Sequence, residues 1–588
     1  MLSPVLLSLT LLLHLQEHDL KASPFDGLRW VEGRPEVQVE AEWYRPIEID
    51  GLTLDEILDA IDSRWPGQRE KRFAEDLVEA LDLLSWEGDL FVDLDLVRLS
   101  DRETIRLESV EMTRAKREAL RAAANASRLR STAPPAPIDL DRESLDADLE
   151  AFQAGLERRF AYLGLRDVPL SAAFDEIRAR VDAAGSIPTV EVARSLHRLL
   201  MEFPDGHARV SAPSGLDRYT GRHTPFLLCP ANGGTVAVDP ERASLLDPAR
   251  PFVVAIDGRP LAEWIDAASL DVVEGSPQAI HFRSVRALRQ IDRHRLELGI
   301  EPKDTLTLTL RAASGADVRD LELRLQDERP IFGVWPLEPS RLLEGDLGYL
   351  RIPAMDDSVG AVRSSMAEFK DTRGLIVDVR ANGGGSREIL LALAGYLIGP
   401  QDSPVVANIA AYRDGGDFPS DHLVARFMYE ASWEGWKPEQ RSAIATAAAS
   451  FSPEWASDRP MSAWHYLLLD RTGHSEEYHY DRPVIVLSDA GCFSATDIFL
   501  GALELLPNVT LMGTASSGGS ARTQRFRLPN SGIEVRCASM ASYRPNGRLY
   551  DGRGIEVDFE VLPGPTDFVH GGGDAVLTAA MEKLRSPR

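Results

Sequence analysis

The sequence predicts an α/β fold, and three observations carry that prediction. Gly374-Leu375-Ile376-Val377-Asp378-Val379 and Pro483–Leu487 are short, largely apolar runs of the length of strands buried on both faces. Each is followed by a glycine-bearing turn, Ala381-Asn382-Gly383-Gly384-Gly385 and Asp489-Ala490-Gly491. Each turn then opens a helical run, Glu388 to Leu397 and Ile498 to Leu506, so the two segments read as βα units.

The rest of the 588 residues divides by composition. Leu2 to Leu15 is an apolar run of signal-peptide length, with no lysine before Lys21; residues 1–24 read as a candidate signal peptide, which implies export to a periplasm or the extracellular space. Residues 25–132 read as an α+β accessory domain. There Glu36 to Glu40 alternates with period two, and Leu54 to Ile61 and Phe73 to Leu84 have helical spacing. Glu111 to Arg130 is a polar helix pattern, and Ala133-Pro134-Pro135-Ala136-Pro137 is a stiff linker.

Residues 138–215 read as a helical segment ending in the amphipathic stretch Val192 to Met201. Residues 216–330 read as mostly strands, around Val253-Val254-Ala255-Ile256-Asp257-Gly258 and the alternating threonines of Asp304 to Leu310. Residues 335–588 form the expected catalytic core, interrupted by an insertion at 401–480 that carries Trp433, Trp436, Trp455 and Trp464. Ligands in α/β folds bind beyond the carboxyl ends of strands, so this connection is expected to roof the site with a packed aromatic core.

Ser494 is the leading chemical candidate. A hydroxyl on a tight turn between strand and helix meets outward-pointing backbone N–H groups, which suits an acyl-transfer nucleophile. Alternatively Ser494 caps the helix, with Asp497 completing a capping box. Cys492, two residues earlier, reads as core packing rather than as a rival nucleophile. Upstream, three successive glycines let the backbone approach a ligand and turn N–H groups toward an oxyanion.

In order and spacing, Asp378-x-Arg380-x-Asn382-Gly383-Gly384-Gly385, Ser494-Ala495-x-Asp497 and Asp551-Gly552-Arg553-Gly554-Ile555 resemble the protease domain of the tail-specific (C-terminal processing) and tricorn-core serine peptidases. The resemblance covers about Leu347 to Leu562 and implies a ClpP/crotonase-like core. Where the processing peptidases carry a lysine this chain has Gly519, and the only lysine after Ser494 is Lys583. The resemblance therefore implies the histidine branch, with His207 of Asp205-Gly206-His207 as general base and Asp551 as its orienting acid. Some members of that branch carry serine before the histidine; Gly206 stands there instead. Val557 also replaces an expected proline, and Asp551 could serve only as a turn residue. Oxyanion donors are expected from Ala495 and from the Gly383-Gly384 turn, with glycine demanded at both positions.

The implied activity is peptide-bond hydrolysis of proteins or peptides, without cofactor or metal, and the implied companion at 216–330 is a PDZ-like module. Alternatives are a serine esterase and a non-catalytic relative that binds peptide or apolar ligands. The formal net charge of −27 disfavours nucleic acid and anionic membrane as partners. Cys229, Cys492 and Cys537 are an odd, sparse set with neither disulfide nor metal spacing.

Overall fold

The computed structural model describes residues 22–586, apart from 32, 65–68, 85, 87–89, 114, 118, 121–138, 214–220, 357, 415–421 and 472–477. Most of the candidate signal peptide and of the expected helix at 111–130, and the proline linker, lie outside the described residues. The chain forms two compact units, Met1–Ala133 with Ser358–Ser364, and Pro134–Asp357 with Ser365–Arg588.

The first unit is α+β. Five strands, Gly27–Val31, Arg34–Val39, Glu42–Ile49, Phe91–Arg98 and Thr104–Glu111, pair in sequence order, and Leu52–Thr53 adds to the third. Val37, Ile49, Val92, Leu94 and Leu96 share a core with Ile57, Ile61 and Phe73. The helical spacing of 73–84 becomes two helices, Arg69–Glu75 and Leu77–Asp82, separated at Asp76. The backbone of Asp76, at φ −135° and ψ 38°, leaves the helical region there.

In the second unit, a six-stranded sheet runs Arg341–Leu343, Leu347–Arg351, Gly374–Asp378, Val484–Ser488, Val509–Gly513 and Phe559–Glu560, parallel throughout except at the first strand. Its central strands are buried on both faces, as their largely apolar sequences require. The C-terminal helix Ala575–Arg585 packs Val576, Leu577 and Ala580 against Tyr349, Ile376 and Ile485. Helices Glu388–Leu397 and Ala495–Leu503 contact strands of a second sheet, ordered Tyr429–Glu430, His465–Leu469, Val405–Tyr412 and Met540–Tyr543.

Residues 401–480 thus supply three of the four strands of that second sheet. Their aromatics pack on one another: Tyr429 stacks on Trp433 at 4.0 Å between ring centroids, and Trp464 meets Phe451 edge-on at 5.1 Å. Val406, Ile409, Ile444 and Leu468 complete that cluster.

The helices Arg142–Arg159, Leu170–Ala184 and Thr189–Met201 share one hydrophobic core with Val535, Cys537, Ala541 and Tyr543. The strand Arg209–Ser211 pairs antiparallel with Glu534–Ala538. That pairing carries the intervening turn, and His207 with it, to the parallel sheet's neighbourhood.

The region read as mostly strands differs from expectation. Leu227–Ala231, Gly234–Val238, Phe252–Ile256, Thr305–Arg311 and Val318–Arg324 make an antiparallel sheet, with Arg259–Pro260 pairing back on Ala255 and Ile256. Three helices intervene, Leu261–Ser269, Pro277–Ala287 and Ile291–Glu297. The reason is spacing: Leu261, Trp264 and Ala268, then Val285, Leu288 and Ile291, recur at helical intervals and bury against Leu306, Leu308 and Leu310. Among the described residues no helix is long and apolar enough to cross a membrane.

Candidate active site

Gly374–Asp378 and Val484–Ser488 lie side by side in parallel, with Val377 opposite Val486 and Asp378 opposite Leu487. Both turns that follow them therefore emerge at the same end of the sheet, beyond the carboxyl ends of its strands. Asn382 ties the two turns together. Its Nδ2 donates to the Ile352 carbonyl at 2.9 Å, while Oδ1 accepts from the Gly384 N–H at 2.9 Å and from the Thr496 hydroxyl at 2.8 Å. Its own carbonyl accepts from the Phe493 N–H at 3.1 Å. The Asp489 carboxylate closes the arrangement by accepting from Ala381 and Gly491 N–H, each at 2.9 Å.

Below these turns Asp378 and Arg380 form a buried pair at 2.6 Å, and Arg380 also reaches Asp574 at 2.7 Å. The Tyr349 hydroxyl donates to Asp378 at 2.7 Å. The Asp-x-Arg-x-Asn pattern is accordingly a brace for the turn that carries the glycines.

Ser494 stands at the start of Ala495–Leu503 with φ 63° and ψ −117°, a backbone region a non-glycine residue adopts only when its surroundings enforce it. Its side chain makes no capping bond to the helix, and Asp497 does not complete a capping box. The Asp497 carboxylate instead accepts from the Ser516 hydroxyl at 2.6 Å and from the N–H groups of Gly518 and Gly519 at 2.9 and 3.0 Å. Burial, opposed by those donors, pushes its carboxyl up to about 7. The elbow turns the Ser494 hydroxyl away from its own helix and toward His207.

His207 Nε2 is 3.0 Å from Ser494 Oγ. The loop that holds it is anchored on both sides: Asp205 accepts the His207 N–H at 2.9 Å and the Ala538 N–H at 2.7 Å, while Arg536 Nε donates to the His207 carbonyl at 2.8 Å. Burial, then Arg426, Arg536 and Arg283, lowers the imidazole to about 3, which keeps it neutral. Among the described residues its Nδ1, which is buried, has no hydrogen-bond partner.

Asp551 takes its hydrogen bonds from other groups. It accepts from the Tyr162 hydroxyl at 2.7 Å and from both the hydroxyl and the N–H of Ser520. Burial raises its carboxyl and these donors oppose the rise. A ring nitrogen of His207, an oxygen of Asp205 and an oxygen of Asp551 nevertheless lie within 4.8 Å of one another. Such a trio has donors suited to a cation, and Asp205 also accepts from two N–H groups and Asp551 from one N–H and two hydroxyls. Burial, then Asp551, pushes Asp205 up to about 7.

Around the Ser494 turn, the N–H groups of Gly383 and Ala495 donate to no protein group among the described residues, whereas that of Gly384 is taken by Asn382. Glycine is demanded at 384, where φ is +105° and an added Cβ would stand 2.7 Å from Ser494 Cβ. At 383 the expectation fails, because an added Cβ would meet nothing within 4 Å. Cys492 is buried, donates its thiol to the Val379 carbonyl at 3.0 Å, and is pushed well up by burial, as core packing requires.

Several groups around the site were not singled out from sequence. Asp205, Asn382 and Phe493 sat inside the quoted motifs without a role of their own, and Tyr162, Ser520 and Arg283 are remote in sequence and carry no motif. Phe493 covers the His207 ring at 4.5 Å between centroids, and the Arg283 guanidinium covers Phe493 at 4.7 Å.

Residues 346–561 match the model of peptidase family S41. No curated protein matches the chain. Among solved structures, mature CPAF complexed with lactacystin is similar at 16% identity and TM-score 0.52, over 75% of this chain and 97% of that one. Mature CPAF is similar at 17% identity and TM-score 0.50, over 73% and 94%. A peptidase structure from Parabacteroides merdae ATCC 43184 is similar at 18% identity and TM-score 0.42, over 75% and 97%. The CPAF likenesses bear on the fold alone, an α/β core with accessory segments. The match places a peptidase family S41 domain at residues 346–561 of the chain, which is a serine-type peptidase.

Proposed function

We propose that the chain hydrolyses peptide bonds through Ser494 as nucleophile and His207 as general base, by way of an acyl-enzyme. The 3.0 Å contact between Ser494 Oγ and His207 Nε2 carries the reading. A neutral imidazole at that distance takes the serine proton as the alkoxide attacks the substrate carbonyl, then returns it to the leaving amine. Water activated by the same imidazole releases the acyl group. The unengaged N–H groups of Ala495 and Gly383 are the oxyanion donors in this reading, each worth about 3 to 4 kcal/mol of barrier reduction. Gly384 contributes by bringing its backbone against the nucleophile.

In the same reading Asp551 is the acid that stabilises the imidazolium. Asp205 holds two backbone N–H groups that fix the loop, whereas two of the three donors on Asp551 are hydroxyls, which can rotate away. The unpartnered His207 Nδ1 is the group a reoriented Asp551 would satisfy.

Labelling with a fluorophosphonate, with mass mapping of the adduct, tests the assignment. The adduct is expected on Ser494 of the wild type and absent from Ser494→Ala and His207→Ala. An unlabelled but folded wild type would sink it. A panel of peptides against small esters then decides whether amides are the preferred substrates.

A further inference from the structure

The segment Ser516-Ser517-Gly518-Gly519-Ser520 offers no base, yet all five of its residues are buried. It lies between two turns. On one side is the turn that carries Ser494. There the Ser517 N–H donates to the Cys492 carbonyl at 2.9 Å, the Ser517 hydroxyl donates to the Ala490 carbonyl at 2.7 Å, and a Cβ added at Gly519 would stand 2.2 Å from the Phe493 ring. On the other side is the turn that carries Asp551, which accepts the hydroxyl and the N–H of Ser520. There the Ile555 N–H donates to the Ser516 hydroxyl at 2.7 Å, and a Cβ added at Gly518 would stand 2.3 Å from the Gly554 nitrogen. With no room for a side chain at 518 or 519, the backbone itself sets the spacing of the two turns.

One carboxylate holds that backbone. Asp497, fully buried, accepts the Ser516 hydroxyl at 2.6 Å and the Gly518 N–H at 2.9 Å on Oδ1, and the Gly519 N–H at 3.0 Å on Oδ2. A carboxylate is costly to bury unless donors surround it, and here a single loop supplies three.

What the loop braces is strained. Ser494 sits at φ 63° and ψ −117°, and a non-glycine residue stays in that region only where its surroundings over-determine it. From one side the Asn382 carbonyl holds the Phe493 N–H and Asp489 holds the Gly491 N–H. From the other, loop 516–519 takes the Ala490 and Cys492 carbonyls and backs the Phe493 ring. That ring covers His207 at 4.5 Å between centroids, so a shift of the loop reaches both partners of the 3.0 Å contact between Ser494 and His207.

Resting on the hydrolase reading above, we infer that Asp497 is a positioning residue for that reaction: through loop 516–520 it holds the Ser494 turn and the Phe493 ring in register with His207 and Asp551. It acts through the loop and not on the reacting atoms.

The same unit supplies a matched control. Asp148, also fully buried, cradles another turn in the same way: Oδ1 accepts the Asn530 N–H at 2.8 Å and Asn530 Nδ2 at 3.2 Å, and Oδ2 accepts the Ser531 N–H at 2.9 Å. None of these residues belongs to the site. Asparagine at either position keeps the size and one acceptor oxygen but sets an NH2 group against an N–H. Asp497→Asn and Asp148→Asn should therefore lower the urea midpoint alike. Only Asp497→Asn should slow labelling of Ser494 by a small fluorophosphonate, by about 10²-fold, the cost of misplacing a reacting group by about 1 Å. For a peptide that the wild type cleaves, kcat should fall by the same factor while KM stays within about twofold. If Asp497→Asn does not fold, Gly519→Ala decides: it leaves the carboxylate in place, presses on Phe493, and should lower kcat in the same way.

Unchanged labelling in the folded Asp497→Asn variant, equal slowing in Asp148→Asn, or a raised KM with kcat kept would each overturn the positioning role and leave the hydrolase reading intact. A folded wild type that takes no label at Ser494 overturns both readings together.

Discussion

Phe493 and Gly206 occupy complementary halves of one space: a Cβ added at Gly206 would lie 2.6 Å from the Phe493 ring and 3.3 Å from Arg283 Nη2. The ring that fills the space is tilted only 31° from the His207 plane. Such a partner shields the imidazole from water on one face and restricts its rotation. Position 206, where some relatives of the histidine branch are expected to carry serine, is thus closed to any side chain by the residue preceding Ser494.

Gly206→Ser should therefore not supply an auxiliary hydroxyl. It should displace Phe493, destabilise the protein by about 1–3 kcal/mol as overpacking does, and lower turnover. Urea unfolding and peptide hydrolysis measure the two effects. A variant as stable and as active as the wild type would show that the ring yields without cost.

The acid limb of kcat/KM set by His207 should lie far below the ordinary histidine value of 6.5, since burial and then Arg426, Arg536 and Arg283 hold the imidazole at about 3. The sign is fixed by the base having to be neutral: activity is present above the depressed value and falls as pH drops through it. Arg426→Gln removes the largest of the charges and should move the limb upward. The rate of fluorophosphonate labelling against pH reads this directly, and a limb that stays put in the variant contradicts the electrostatic account.

The strand–turn–helix units at 374–397 and 483–503 were legible because each is written in consecutive residues: an apolar run, a glycine turn, a helical period. The pairing of Ser494 with His207 was reachable only through the resemblance, since 287 residues separate them and the strand contact between Arg209–Ser211 and Glu534–Ala538 has no local signal. The helix Pro277–Ala287 was legible in its spacing but was passed over among neighbouring strands. What sequence could not give is the hydrogen bonding of Asp551, because Tyr162 and Ser520 reach it across the fold. The capping-box alternative at Ser494 failed for a related reason: its acid, Asp497, serves the loop 516–519.

Arg380→Met should destabilise the protein by about 3–5 kcal/mol, the cost of leaving a buried charge without its partner. Asp378 is fully buried and Arg380 is its closest cation, at 2.6 Å; the next, Arg351, is 3.7 Å away. Adding Asp378→Leu to the first substitution should return part of the loss by removing the stranded acid. Urea midpoints for the two variants decide it; a double variant weaker than the single would place the main role of Asp378 in its bond to Tyr349.

The two neighbouring glycines should respond differently to alanine. At Gly384 a methyl would press on Ser494 Cβ at 2.7 Å, on the Phe493 carbonyl at 2.8 Å and on the Ala495 N–H at 3.0 Å, from a backbone at φ +105° that alanine disfavours. Gly384→Ala must therefore shift the nucleophile and the N–H beside it, and should slow acylation by about 10²- to 10³-fold, the loss typical of a spoiled oxyanion donor. At Gly383 a methyl meets nothing within 4 Å and the N–H is kept, so Gly383→Ala should lose far less. Labelling by a small fluorophosphonate separates this effect from obstruction of a bulky peptide. Equal losses in the two variants would mean that the space in front of Gly383 is needed by the reacting group itself.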